Sequence, residues 1–157
     1  MLDPTPGQTI GPFFHDAMRY HGADDLTPPG GADAIRLHGT VFDGAGAPVS
    51  DALIEIRHSD GGWGRCPTNA AGDYCFSIAD PVQFISVVVF ARGLLDRLFT
   101  RAYPAGCSDP FLDRLTARER STLTTIREGD GSLRFDIHLQ GDHETVFLTF
   151  VRDSAGA

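Results

Sequence analysis

"IRLHGTVFDGAGAPVSDALIEIRH", Ile35 to His58, holds two alternating runs on either side of one turn. In the first run Ile35, Leu37 and Val41 fall on one face and Arg36, His38 and Thr40 on the other, the period of a half-buried strand. "DGAGAPV", Asp43 to Val49, is a glycine- and proline-rich turn. The second run sets Ala52, Ile54 and Ile56 opposite Leu53, Glu55 and Arg57. This is the grammar of a β protein.

The same grammar continues outward. "SDGGWGR" reads as a turn, and "NAAGDYCFSI" as a turn leading into a strand at Tyr74 to Ile78. "FISVVVFARG", Phe84 to Gly93, is apolar almost without a break, which predicts a central strand covered on both faces. "REGDGSLRF" predicts a hairpin turn into a strand where Phe135, Ile137 and Leu139 alternate with Arg134, Asp136, His138 and Gln140. "TVFLTFV", Thr145 to Val151, predicts a last strand. Helix is scarce: Asp109 and Pro110 open a short one through Leu115, and Thr116 with Glu119 spells a capping box. Six or so strands with one helical insertion predict an all-β, antiparallel β-sandwich.

Residues 1–34 are different. Pro4, Pro6, Pro12, Pro28 and Pro29 and several glycines leave no periodicity, so this segment is expected to be an N-terminal arm lying against a partner. Residues 35–157 make the sandwich domain. A chain of 157 residues fits one core, and 41% hydrophobic with 22% charged residues is ordinary for a globular protein. The net charge of −8 argues against nucleic-acid binding and against docking on anionic membranes. Three cysteines without CxxC spacing disfavour a zinc ribbon or a disulfide scaffold and suit a reducing compartment. No signal peptide or membrane span is visible, so the expected location is cytoplasmic.

The chemistry is thin. None of the six histidines is paired at i,i+2 on a strand or i,i+4 on a helix, and His38 and His138 read as solvated or hydrogen-bonded surface residues. Glu55 and Arg57 share a strand face and could form an ion pair. Cys107 stands ahead of a helix start but lacks the neighbours of a nucleophile. No phosphate loop, dinucleotide fingerprint or GxSxG is present. Alone, this chain lacks a complete active site.

"LHGTVFDGAGAPVSDALIEIRHSD" nevertheless resembles the signature of the intradiol ring-cleavage dioxygenases, and other motifs follow in the family's order. "TPGQTIGPFF" is similar to the amino-terminal arm of the alpha subunits that act on protocatechuate, "FARG" with "LFTRAYP" to their central region, and "RFDIHLQGDHETVFLTF" to their carboxy-terminal hairpin. The resemblance implies a β-sandwich partnered by a homologous beta subunit that holds Fe(III) with two tyrosinates and an HxH pair. The two HxH positions here are Phe84 and Ser86, and Tyr20, Tyr74 and Tyr103 lie outside ligand motifs, so no metal is expected in this chain. The pair of subunits is expected to open a catechol-type aromatic acid between its hydroxyl-bearing carbons with O₂. This chain's implied share is the pocket wall: Thr9, Gly11, Pro12 and Phe13 from the arm, and Arg92 from the end of the apolar strand. Its departures are Arg57, His58 and Ser59 where the family favours Trp-Gln-Ala, Phe13 where the arm commonly has Tyr, and shortened loops. The rival expectation is a non-catalytic β-sandwich binding or interaction module.

Overall fold

The structure is a computed structural model and describes residues 6–27, 34–59 and 61–150. Pro4, Pro28, Pro29, the ends of the expected arm, and Val151 with the end of the expected sandwich domain lie outside the described residues.

Two sheets face one another. The first holds β1 (Ala34–Phe42), β4 (Asp73–Ala79), β7 (Ile126–Arg127), β8 (Leu133–Arg134) and β9 (Ile137–His138), in the order β4-β1-β8-β7 with β9 also on β1. The second holds β2 (Leu53–Arg57), β3 (Trp63–Pro67), β5 (Ile85–Phe90) and β6 (Leu98–Ala102), in the order β3-β2-β5-β6. The fold is the expected all-β sandwich. Two pairings depart from the antiparallel rule: β1 runs parallel to β8 (Leu37 opposite Leu133) and to β9 (Val41 opposite Ile137).

The inward faces supply the core. Leu37, Val41, Phe76, Ile78, Leu133 and Ile137 from one sheet meet Ile54, Ile56, Ile85, Val87 and Val89 from the other, each at most 2% exposed. Burial on this scale stabilises by about 1.5–3 kcal/mol per large side chain. Between β8 and β9 the strand breaks, and Asp136 Oδ1 accepts the Thr40 amide that the ladder would otherwise leave unpaired, at 3.1 Å. There the Phe135 carbonyl comes so close to Gly39 that a Cβ on Gly39 would collide with it. The same carbonyl accepts a hydrogen bond from the hydroxyl of Tyr74, whose buried phenol is held well above the usual tyrosine range by desolvation.

Several expectations change. "SDGGWGR" is not only a turn, because Trp63–Pro67 forms the edge strand β3. Leu98–Ala102 is also a strand, β6. Glu55 pairs across the β2–β3 ladder with Arg65 at 2.7 Å and not with Arg57, since cross-strand neighbours approach more closely than i,i+2 residues. Leu53 is as buried as Ala52 and Ile54, although it points to the opposite face. β5 sits inside its sheet as expected, but its faces differ: Ile85, Val87 and Val89 are buried, while Ser86, Val88 and Phe90 are half-buried. No strand is assigned among residues 145–150; this segment is tied to β6 through Leu148 N–H to Phe99 O (2.7 Å) and Thr100 Oγ1 to Val146 O (2.8 Å). The helix expected through Leu115 is a single 3-10 turn, Leu112–Arg114, with the Phe111 amide bound to Asp109 Oδ1. The Thr116–Glu119 capping box is present and starts α2 (Ala117–Ser121); α1 (Phe14–Ala17) lies in the arm. Among the described residues no helix is long and apolar enough to cross a membrane.

Candidate functional site

The arm runs beside the end of β5. Pro6 and Pro12 stiffen an irregular segment that is exposed except at Ile10 and, at its end, Phe14. Half-buried Ile10 and exposed Gln8, with Phe90, Ala91, Leu94, Leu95, Asp96 and Arg97, line a groove of about 180 Å³. Thr9, Gly11, Pro12 and Phe13 are exposed, Phe13 at 76%. A Cβ placed on Gly11 would meet nothing within 4 Å. Phe14 then packs on Phe90, ring centroids 5.4 Å apart, and fixes α1 to the outer face of the second sheet.

Arg92 follows directly. Ala91 is buried, and the chain turns at Gly93, whose φ of 94° is a conformation that L side chains rarely adopt. The β2–β5 register, with Leu53 opposite Phe90, carries Asp51 across from Arg92. Arg92 Nε pairs with Asp51 Oδ2 at 3.1 Å, yet 60% of the arginine side chain stays exposed. The arm residues and the residues flanking Arg92 are therefore brought together at one rim. The pairing with Asp51 had no signal within either sequence segment, since it depends on strand register. The anchoring of the arm through Ile10 and Phe14 had no signal either, because the segment shows no periodicity.

The start of β5 is chemically different. Arg101 lies 4.1 Å over the Phe84 ring and 5.5 Å from that of Phe111. It also donates to Tyr103 Oη at 3.0 Å and pairs with Asp109 at 3.5 Å. Tyr103 Oη donates in turn to Asp109 Oδ2, and burial raises its phenol above the usual range, so it is a neutral donor. Ser86 faces Arg57 on one side and Arg101 on the other across its ladders. A phenyl ring, a serine hydroxyl and a held guanidinium do not fit Fe(III), which wants anionic or imidazole donors. Among the described residues no group of three or more His, Cys, Asp or Glu side chains could hold a metal ion.

Three of the six histidines have other neighbours. His38 Nε2 lies 3.0 Å from Glu128. His138 stacks on Phe42 at 4.8 Å and stands 5.9 Å from His143; burial, with His143 adding to it, lowers its pKa.

No family model matches the chain. It is 30% identical to the protocatechuate 3,4-dioxygenase alpha chain of Burkholderia cepacia, covering 94% of this chain and 98% of the relative. It is 28% identical to the alpha chain of the same name from Pseudomonas putida, covering 96% and 98%. The first alignment spans 192 positions against a 157-residue chain, so it leaves gaps in this chain. Among solved structures, the dioxygenase domain of a dioxygenase carbohydrate-binding fusion from Streptomyces sp. SirexAA-E superposes with a TM-score of 0.61 at 22% identity, covering 88% of this chain and 99% of that one. Catechol 1,2-dioxygenase from Acinetobacter sp. ADP1 does so at 0.57 and 17% identity, covering 82% and 60%. With 30% identity across nearly all of the Burkholderia relative, and the sandwich fold in common with solved intradiol enzymes, this chain belongs to the family of protocatechuate 3,4-dioxygenase alpha chains.

Proposed function

We propose that this chain is the iron-free alpha subunit of a protocatechuate 3,4-dioxygenase. The observation that carries the reading is the near end-to-end match to a protocatechuate 3,4-dioxygenase alpha chain. Joined to a homologous beta subunit, it serves the cleavage of protocatechuate between its hydroxyl-bearing carbons, with both atoms of O₂ entering the product, 3-carboxy-cis,cis-muconate. Fe(III), held by the partner, would supply the binding of the catechol and its activation toward O₂.

This chain's residues form one wall of the shared pocket. Thr9, Gly11, Pro12 and Phe13 present their outward faces to the partner while Ile10 and Phe14 hold the arm to the β5 rim. An exposed phenyl ring and a proline close the wall against water. The arm, within residues 1–34, is thus the docking element and residues 35–157 its scaffold. Arg92 meets the carboxylate of the substrate through the guanidinium nitrogens that Asp51 leaves unused, a charge-assisted contact worth roughly 1.5–3 kcal/mol. The test is to separate and recombine the chains. The recombined pair should consume O₂ and form the carboxymuconate, with neither activity nor stoichiometric iron in this chain alone. Ring cleavage by this chain without a partner overturns the reading, and so does a stable monomer indifferent to a beta-type chain.

A further inference from the structure

Cys66 and Cys75 stand on the two edge strands that meet along one side of the sandwich, β3 of the second sheet and β4 of the first. Both are free thiols. The Cys75 amide donates to Cys66 Sγ at 3.5 Å, and the Cys66 thiol itself donates to the Pro67 carbonyl at 3.4 Å. A sulfur that close to a neighbouring amide nitrogen lies at most about 5 Å from that residue's Cα. Disulfide bonding, with Cα atoms usually about 4.4–6.8 Å apart, then asks for side-chain rotation and an adjustment of about 1 Å. The connection between the two strands is already tight: Asn69 Oδ1 accepts from the amides of Ala71 (2.8 Å) and Asp73 (3.0 Å). Cys75 is exposed and open to a small oxidant, while Cys66 is half-buried behind it.

We propose that Cys66 and Cys75 are a modification site, a vicinal thiol pair that an oxidant of the peroxide class converts to a disulfide joining the two sheets. The Cys75 thiolate attacks one peroxide oxygen and releases hydroxide, leaving a sulfenic acid. The Cys66 thiolate then displaces hydroxide from that sulfur and forms the S–S bond. Two thiols and one hydrogen peroxide give one disulfide and two waters. Desolvation raises both thiols above the usual cysteine range, so the reaction is slow near neutrality and quickens with pH as the thiolate fraction grows.

The crosslink falls where the arm is anchored. One residue from Cys66, the Arg65 amide donates to Ala23 O at 2.7 Å. Two residues from Cys75, the Ser77 amide donates to Asp24 O at 2.9 Å, and Ser77 O accepts from Leu26 at 2.8 Å. Residues 23–26 thus bridge both edge strands, and a disulfide would lock the pair they bridge. Closing a loop of about ten residues raises Tm by about 5 °C.

The test treats the full chain, alone and in its complex, with hydrogen peroxide, caps remaining thiols with N-ethylmaleimide and maps peptides by mass spectrometry. The expected result is one Cys66–Cys75 crosslink with Cys107 still capped, forming about tenfold faster per pH unit between pH 7 and 8.5. Slower amide exchange at Arg65 and Ser77 should accompany it. C107S should leave the crosslink intact, and C75S, at an exposed site, should abolish it. Three cappable thiols after a treatment that oxidises free cysteine overturn the proposal. Irreversible acids on Cys75 with Cys66 still free, or a crosslink through Cys107, overturn it equally.

Discussion

The two ends of β5 belong to one strand and do opposite things. At its start Phe84 lies under Arg101, and that guanidinium is already committed to Tyr103, Asp109 and a second ring at Phe111. At its finish Arg92 touches a single carboxylate among the described residues and keeps 60% of its side chain in solvent, beside an arm whose outer residues are exposed. Both ends carry an arginine and an aspartate. The lesson is that ion pairing alone does not mark a site; what separates the two ends is how much hydrogen-bonding capacity is left over.

The largest expected effect comes from breaking the closed end. Arg101→Ala strands Asp109 beside a buried phenol and removes the cation from two rings, so denaturant unfolding should show a loss of about 2–3 kcal/mol. The iron content of the assembled complex should be unchanged. The open end should respond in the other currency. Arg92→Ala should shift stability by less than about 1 kcal/mol, as exposed pairs do, yet lower kcat/KM of the complex for protocatechuate about ten- to a hundredfold. Arg92→Lys should recover only part, because an ammonium cannot hold Asp51 and a carboxylate with one planar fork. If Arg92→Ala unfolds the chain or dissociates the complex instead, the two ends are alike and the comparison fails.

Much of this contrast was not legible in the sequence. The alternation in Ile35–Phe42 and the turn after it revealed β1 and β2 because one face of each strand is apolar and buried in the core. β3 was hidden because an edge strand with Gly64 and Pro67 has little apolar pattern to show, and β6 because Arg101 and Thr100 interrupt it. The last expected strand failed for the converse reason: "TVFLTF" is rich in apolar and β-branched residues, but among the described residues its backbone reaches β6 at a single amide–carbonyl bond. At the site, the exposed arm followed from its prolines and glycines. The partners of Arg92 and Arg101 did not, since Asp51 is brought in by strand register and Asp109 by a loop folding back over the sheet.

Two smaller effects sharpen the account of the open end. Phe14→Ala removes the ring that fixes the arm to Phe90 and should cost about 1 kcal/mol, with faster limited proteolysis between residues 6 and 17. Gly11→Leu should be the mildest for this chain, because its side chain enters open space. In the complex the same substitution should raise KM or lower kcat a few-fold, about 1 kcal/mol or less of transition-state stabilisation, with iron content unchanged. Unchanged kinetics in an intact complex would return the arm to a solvated segment.

The most direct test of the central claim is purification of a tagged version of this chain from its native host, with metal analysis of each separated chain. The account predicts one co-purifying homologous chain that carries the iron, ring cleavage only in the complex, and no stoichiometric iron in this chain. About one tightly bound iron in this chain, or its recovery as an active species by itself, would contradict it.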